Sequence, residues 1–393
     1  MSRIYATLSS KRNWELGSAS LPVEVRRRDG ALVARGVCRQ HLEVAPGSYI
    51  VVSVMPGGTE MAGEVDVRPE EWAQVTLKPE LEDESPHESE EVARFVWGHT
   101  GVDVTAGVEQ AAFAMHGKVR LWSGNVLEGP LRAEPTDGLR QLLETLPDGV
   151  IAFEPAVSGL LYAQLAQSGH PSVNVVIARD SESESAGTRL VVALRPDGSF
   201  GVEAHLEDLN ADALLALLEH GRYGDALAVA DSAEMSEELL LYKKRDPLAA
   251  SVGAYALLRM SAHERLHDWT QNLCNWFPWL PDGVVIRAEH LAREGRRGDS
   301  LDLLLTLSER GLPVFTEGFS LALDRLRATR DQRARDLLEQ LNQYVPFVDF
   351  SRPFLTFTGE EPGHAGLSEL DGGAYDHIEG LDVSPEAMRE PAY

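Results

Sequence analysis

Apolar and polar positions alternate along the first part of the chain. Val23 and Val25 lie on one side of Asp29-Gly30, and Leu32 and Ala34 on the other, which is the spacing of a hairpin closed by a tight turn. Pro46-Gly47 and Pro56-Gly57-Gly58 then bracket the run Tyr49 to Val54, and Ala73 to Leu77 supplies a further strand. Residues 1–79 therefore read as a β-sandwich. The pattern breaks at Glu80 to Glu91, ELEDESPHESEE, a charge run with a proline that cannot bury apolar surface. Residues 80–93 read as an acidic linker. The sharper reading of the run is a cation-binding or protease-accessible segment.

Residues 94–205 mix two periods. Leu139, Leu142, Leu143 and Leu146 have helical spacing within Asp137 to Leu146, with Thr136 or Asp137 as N-cap. Val157 to Leu165 is a second apolar helix candidate. Three strands follow at Ser172 to Ala178, Thr188 to Leu194 and Ser199 to His205. A polar SESESAG loop joins the first two, and Pro196-Asp197-Gly198 turns the second into the third. An antiparallel sheet with packed helices, a mixed α+β domain, is the expectation.

From Leu206 the period becomes 3.6. The string G-R-x-G-D-[small]-L occurs at Gly221 to Leu227 and again at Gly295 to Leu301, 74 residues apart. That is about twice the roughly 34-residue period of tetratricopeptide repeats, so a copy is required between them. Tyr255 to Leu273 has the right layout, and a fourth copy falls at Leu321 to Leu341. In each string a glycine ends one helix, Asp starts the next, and the small residue lets the two approach. Residues 206–345 are therefore expected to form α-helical hairpin repeats, with turns at Gly221, Ser261, Gly295 and Thr329. A plain helical bundle is the alternative. Residues 346–393 read as an apolar strap, VPFVDFSRPFLTF, that runs into an extended acidic tail. The fold class is α+β multidomain.

Three resemblances accompany these patterns. Gly221, Tyr223, Ala226 and Leu227 resemble the Gly-aromatic-x-x-Ala-Leu turn of tetratricopeptide repeats, although Arg297 replaces the aromatic in the third copy and the second copy lacks the glycine. Pro46, Gly47 and Tyr49 resemble the corresponding strand of transthyretin-like or carboxypeptidase-regulatory-like β-sandwiches, which implies a spacer or binding module. Asp246 to Gly283, DPLAASVGAYALLR to WFPWLPDG, is similar to non-catalytic regions beside bacterial caspase-like and trypsin-like peptidases of defence and conflict systems. That last resemblance implies a protein that regulates a protease or is its target.

Composition narrows the partners. The formal charge of −26 repels phosphate backbones and anionic lipids, which argues against nucleic-acid and membrane binding. Arg26, Arg27 and Arg28 make the one basic run that the reading singles out, and a solvated strand end beside a turn accounts for it. The two cysteines, Cys38 and Cys274, lack the spacing of a zinc knuckle or a disulfide framework. No apolar leader opens the sequence, and no apolar run approaches about 18 residues. A cytoplasmic protein is the expectation.

One string has catalytic form. His263-Glu264-Arg265-Leu266-His267 spells HExxH, which on a helix sets two imidazoles on one face to hold zinc while the glutamate activates water. Glu264 would be the catalytic base and His263 and His267 the ligands, with Glu289 or His290 as the third. Against this, Arg265 and Asp268 are unusually charged for such a helix, and the repeat register places the string across a turn. The plainer reading is a polar first turn with His267 beside Trp269. Between the second and third copies, Trp276, Phe277 and Trp279 crowd one loop, either as a ligand-facing patch or as a plug between hairpins. With Tyr223 and Trp269 they form the candidate partner-binding set. A non-catalytic adaptor that needs no cofactor and binds a protein or peptide, with a protease as the candidate partner, is the leading expectation. A zinc metallopeptidase is the alternative.

Overall fold

The computed structural model describes residues 2–8, 21–54, 60–79, 117–142, 150–167, 169–180, 187–194, 199–219, 223–231, 235–365 and 380–383. The acidic linker and the Pro56-Gly57-Gly58 and Pro196-Asp197-Gly198 turns lie outside the described residues. The architecture is mixed α+β and multidomain, with sheets in the N-terminal part and helices toward the C-terminus. Two compact units emerge: residues 1–99 with 208–238, and residues 100–207 with 239–393.

The first unit is built on seven strands: β1 (Ser2–Leu8), β2 (Pro22–Arg26), β3 (Leu32–Val37), β4 (His41–Val44), β5 (Gly47–Val54), β6 (Glu60–Val67) and β7 (Trp72–Pro79). Their order is β3-β2-β5-β6-β7-β1-β4, antiparallel except for the parallel pair β1–β7. The outermost strands β3 and β4 are joined by the short Cys38–Gln40 link, which curls the sheet into a barrel-like form. Alternation holds: Ile4, Ala6, Val23, Val25, Val51, Met61 and Leu77 point into one core. Gly30, at φ 84°, closes the predicted β2–β3 hairpin. Tyr49 Oη donates to Ala45 O at 2.7 Å and pins the chain entering β5.

The helices α1 (Leu209–Glu219) and α2 (Tyr223–Asp231) belong to this unit, and Ala213 joins its core. The first G-R-x-G-D string therefore belongs to a different unit from the second, and its turn residues Gly221 and Arg222 lie outside the described residues.

The second unit carries two antiparallel sheets. One has the order β10-β11-β14-β15, from β10 (Leu139–Gln141), β11 (Val150–Pro155), β14 (Thr188–Leu194) and β15 (Phe200–Leu206). The other centres on β8 (Gly117–Ser123), β12 (Gly159–Gln167), β13 (His170–Arg179) and β16 (Thr356–Glu361), with the short β9 (Arg132–Ala133), β17 (His364–Ala365) and β18 (Leu381–Asp382) at its margins. Gln167 Oε1 accepts from Phe200 N at 2.8 Å, tying one sheet to the other.

Two expected helices are strands. Val157 to Leu165 is largely β12, and Leu160 to Gln167 are all buried. A strand covered on both faces has no alternation, so its apolar run cannot be told from a buried helix by period. Asp137 to Leu146 begins as a single 3-10 turn, Thr136–Gly138, and continues as β10; residues 143–146 lie outside the described residues. Pairing of Leu139 with Pro155 and of Gln141 with Phe153 overrides the helical spacing of the leucines. The three strands expected after residue 170 are present as β13, β14 and β15.

The remaining helices are α3 (Met235–Leu241), inside which the unit boundary falls, α4 (Pro247–Arg259), α5 (Trp269–Trp276), α6 (Pro281–Arg293), α7 (Arg297–Leu305), α8 (Leu307–Arg310), α9 (Thr316–Arg327) and α10 (Gln332–Asn342). Their turns follow the predicted chemistry. After α6, Gly295 at φ 84° donates to Ala292 O and Arg296 N donates to Leu291 O, the paired bonds of a Schellman cap. After α4 the same cap is built on Ser261 at φ 58°, with Ser261 N to Leu258 O and Ala262 N to Leu257 O. Ser300 is the small residue at the α6–α7 approach, and its hydroxyl donates to Ala288 O at 2.7 Å. Asp331 caps α10 through Arg333 N. The pairs differ in length, and a 3-10 turn interrupts one of them, so the regular period of a tetratricopeptide array is not established.

The segment after Tyr344 returns to the second sheet. Phe354, Leu355 and Phe357 are buried, and β16 pairs with β13 from Val173↔Thr358 to Val175↔Thr356. Asn174 Nδ2 donates to Gly359 O at 3.0 Å, and Gln164 Nε2 donates to Glu360 O while its Oε1 accepts from Trp122 Nε1. The strap thus completes a sheet as well as touching the last helices, where Phe350 packs near Phe319.

Candidate functional site

The HExxH string does not form an α-helix. α4 ends at Arg259, His263–Leu266 is one 3-10 turn, and His267 follows at φ 45° before α5 begins. The four-residue spacing that aligns two imidazoles requires α-helical geometry, which the string lacks. His263 Nδ1 lies 3.2 Å from Ser261 O, whereas the His267 ring meets Trp269 edge-on at 5.3 Å.

Neither expected third ligand is available to it. Glu289 is buried on α6 and held by two guanidiniums: Arg293 Nε donates to it at 2.7 Å, and Arg325 of α9 donates through Nε and Nη2 at 2.5 and 2.8 Å. Burial pushes the Glu289 carboxyl up, but the two arginines outweigh it and hold the pKa below the usual value. His290 is buried with Nδ1 3.0 Å from the Thr270 hydroxyl, and burial lowers its pKa. Among the described residues no group of three His, Cys, Asp or Glu side chains is arranged to hold a metal.

The Glu289 triad is structural, since it clamps α6 to α9. Glu289→Gln leaves two guanidiniums facing a neutral amide. Breaking a buried pair costs about 3–5 kcal/mol, and the partial exposure of both arginines sets the expectation near about 3 kcal/mol. The shift of the urea midpoint relative to the unaltered chain measures it.

The predicted aromatic set divides. Phe277 is buried, with Trp279 half-buried against it at 6.1 Å, so these two plug the α5–α6 corner. Gly283 makes that corner possible: a Cβ there would lie 3.1 Å from Cys274 Cα. Trp276, by contrast, is 46% exposed. The Tyr223 side chain lies outside the described residues.

Around Trp276 the structure assembles a feature the sequence reading passes over. Lys243 Nζ stands 5.4 Å from the Trp276 ring centroid and 5.7 Å from that of Trp269, while Lys244 Nζ stands 4.8 Å from Trp276. Lys243 is buried and also donates to Leu240 O at 3.0 Å, at the end of α3. Burial lowers its pKa, and Lys244 lowers it further. Leu241 and Tyr242, directly before the lysines, are 58% and 55% exposed. The signal was present in composition, since the chain has only five lysines (11, 78, 118, 243 and 244) and two of them are adjacent. In the run Arg26 to Arg28, two of the three arginines face carboxylates, Arg26 with Glu24 and Arg28 with Glu64.

A second charged cluster crosses the β10-β11-β14 sheet. Arg140, Arg179 and Arg189 surround Glu154 at 2.6, 3.9 and 3.8 Å, and Arg179 also meets Glu207. Each arginine faces a carboxylate, as expected of a cluster that ties strands together.

Comparison with known proteins bears on this part of the chain. Residues 213–387 match the Y4kD C-terminal domain family. That span is somewhat under half of the chain; it takes in α2 to α10 and β16 to β18 but not β13, the strand of the larger sheet with which β16 pairs. The chain is also similar to a probable protease from a Desulfuromonadales bacterium, 33% identical over 82 residues. The shared stretch is 21% of this chain and 10% of that protein, so the chain spans about a tenth of its curated relative's length. Among the described residues no helix is long and apolar enough to cross a membrane.

Proposed function

We propose that this chain is a non-catalytic, protein-binding component of a protease-associated assembly. The observation that carries the reading is the exposed Trp276 with Lys243 and Lys244 against it, flanked by exposed Leu241 and Tyr242. Aromatic residues with cations at their rings are the anchors that dominate protein interfaces. The stretch similar to part of a probable protease supports the protease context. The regulatory role follows from that context. The zinc peptidase alternative has no helical metal site to stand on.

Cross-linking the full chain in its source cells, followed by mass spectrometry, tests the reading. A peptidase is expected among the stoichiometric partners, and its absence there counts against the reading. The purified chain is expected to leave a casein substrate uncut and to carry the same trace zinc as His267→Ala. Stoichiometric zinc lost on that substitution, together with cleavage, would replace this reading with the metallopeptidase.

A further inference from the structure

We infer that the surface formed by Lys244, Trp276 and the neighbouring Leu241 and Tyr242, with the buried Lys243 ammonium beneath it, is a docking site for an acidic peptide segment of a partner protein, one carrying an apolar side chain among its carboxylates. The inference rests on the protein-binding reading above and names the chemistry of the partner.

Charge carries the argument. The chain is acidic overall at −26, and where its arginines appear in the ion pairs described above they face carboxylates. The two adjacent lysines do not. Among the described residues no carboxylate pairs with either ammonium; Lys243 stands against the Trp269 and Trp276 rings and the Leu240 carbonyl, and Lys244 against the Trp276 ring. Two like charges held together in an acidic protein without a counter-ion form a local site for an anion. The tryptophan faces make the arrangement tolerable in the absence of one.

Geometry supplies the rest. Lys243 is fixed by its carbonyl bond and by burial, which pre-orders one half of the site and lowers the entropy that binding must overcome. Lys244 is exposed and can close on a carboxylate. Leu241 and Tyr242 offer apolar surface beside it, which a purely ionic ligand would leave unused. A nucleic acid meets the repulsion of the whole chain, whereas a short acidic peptide brings its few charges to the one cationic spot.

The test uses the full chain and a short fluorescein-labelled peptide rich in Asp and Glu with one Leu and one Phe, read by anisotropy. Saturable binding that weakens with added salt is expected, with none to a peptide in which lysines replace the acids. Lys244→Glu and Trp276→Ala, both at exposed positions, are expected to raise Kd at least about tenfold while leaving the thermal midpoint in place, and Lys244→Arg to restore binding. Absence of saturable binding, equal binding by Lys244→Glu, or displacement by single-stranded DNA as readily as by unlabelled peptide overturns the inference. Should the peptide fail while the cross-linked peptidase is still recovered, the docking chemistry is wrong and the proposed function stands. Should the peptide bind and no peptidase be recovered, the reverse holds.

Discussion

A chain ended after Tyr344 is expected to lose the fold of its second unit. The removed segment contains Phe354, Leu355 and Phe357, which are 2%, 0% and 1% exposed. Burial of each such side chain is worth about 1.5–3 kcal/mol, so the three together approach about 6 kcal/mol, a large share of the roughly 5–15 kcal/mol that keeps a protein folded. The backbone loss compounds it. Val173 to Val175 on β13 lose their ladder partner, and Leu355, whose N donates to Val314 O and whose carbonyl accepts from Val176 N, is gone. Asn174 and Gln164 are left with buried amides that no longer reach the Gly359 and Glu360 carbonyls. The bared strand edge is also a template for association. Thermal unfolding and size-exclusion chromatography check the outcome. A chain ended after Ala365 keeps β16 and β17 and loses β18 with the buried Val383, so it is expected to melt below the full chain but well above the shorter truncation; equal damage from both truncations would remove β16 as the cause.

The second large effect centres on Asp282, which is fully buried near the start of α6. Its carboxylate accepts from the Tyr255 hydroxyl at 2.7 Å and from Val314 N and Phe315 N at 2.7 and 3.3 Å, joining α4, α6 and the entry to α9. Burial raises its pKa to about 6, while the three hydrogen bonds pull the other way. An unfolded Asp has a pKa near about 3.8–3.9, so the folded form binds its proton more tightly. The sign follows directly. This group's contribution is full below the unfolded value and is lost as pH rises through about 6, a span worth roughly 3 kcal/mol. Asp282→Asn has no such titration. Its stability deficit relative to the unaltered chain is therefore expected to be greatest near about pH 4 and to shrink by roughly 3 kcal/mol near about pH 7. Urea unfolding of both proteins at the two pH values measures the difference, and a constant deficit would contradict the raised pKa. Glu24, Glu134 and Glu289, whose pKa values are lowered, act in the opposite direction in both proteins and cancel in the comparison.

The close packing at this point leaves no room for a side chain at Gly318. A Cβ there would run into the Tyr255 hydroxyl and approach Asp282 Oδ1 to 2.8 Å. That glycine stands beside the carboxylate because α9 must reach it, and nothing in the local spacing of TEGFSLALDRLR announces the requirement.

Much of the local structure was legible in the sequence. The Asp29-Gly30 hairpin, strands β13 to β15 and the helix ends near residues 261, 295 and 329 follow from turn chemistry and period, because a left-handed residue or a capping carboxylate acts within a few residues of itself. The same locality demoted HExxH, since a string placed across a turn cannot hold its histidines on one helical face. Of the candidate partner-binding residues, the crowding of Trp276, Phe277 and Trp279 was visible, but not that Phe277 turns inward while Trp276 turns out. What only the tertiary structure decided is non-local. Residues 159–167 are a strand because β8 and β13 pair along its two edges, and packing over both faces erases the alternation that would mark it. The apolar run after Tyr344 pairs with β13, a strand that precedes it by some 180 residues. The first helical pair groups with the N-terminal strands although its turn string repeats further on. Lys243 and Lys244 meet Trp269 and Trp276 across about 30 residues of chain, a distance over which only packing can place two ammoniums on one ring.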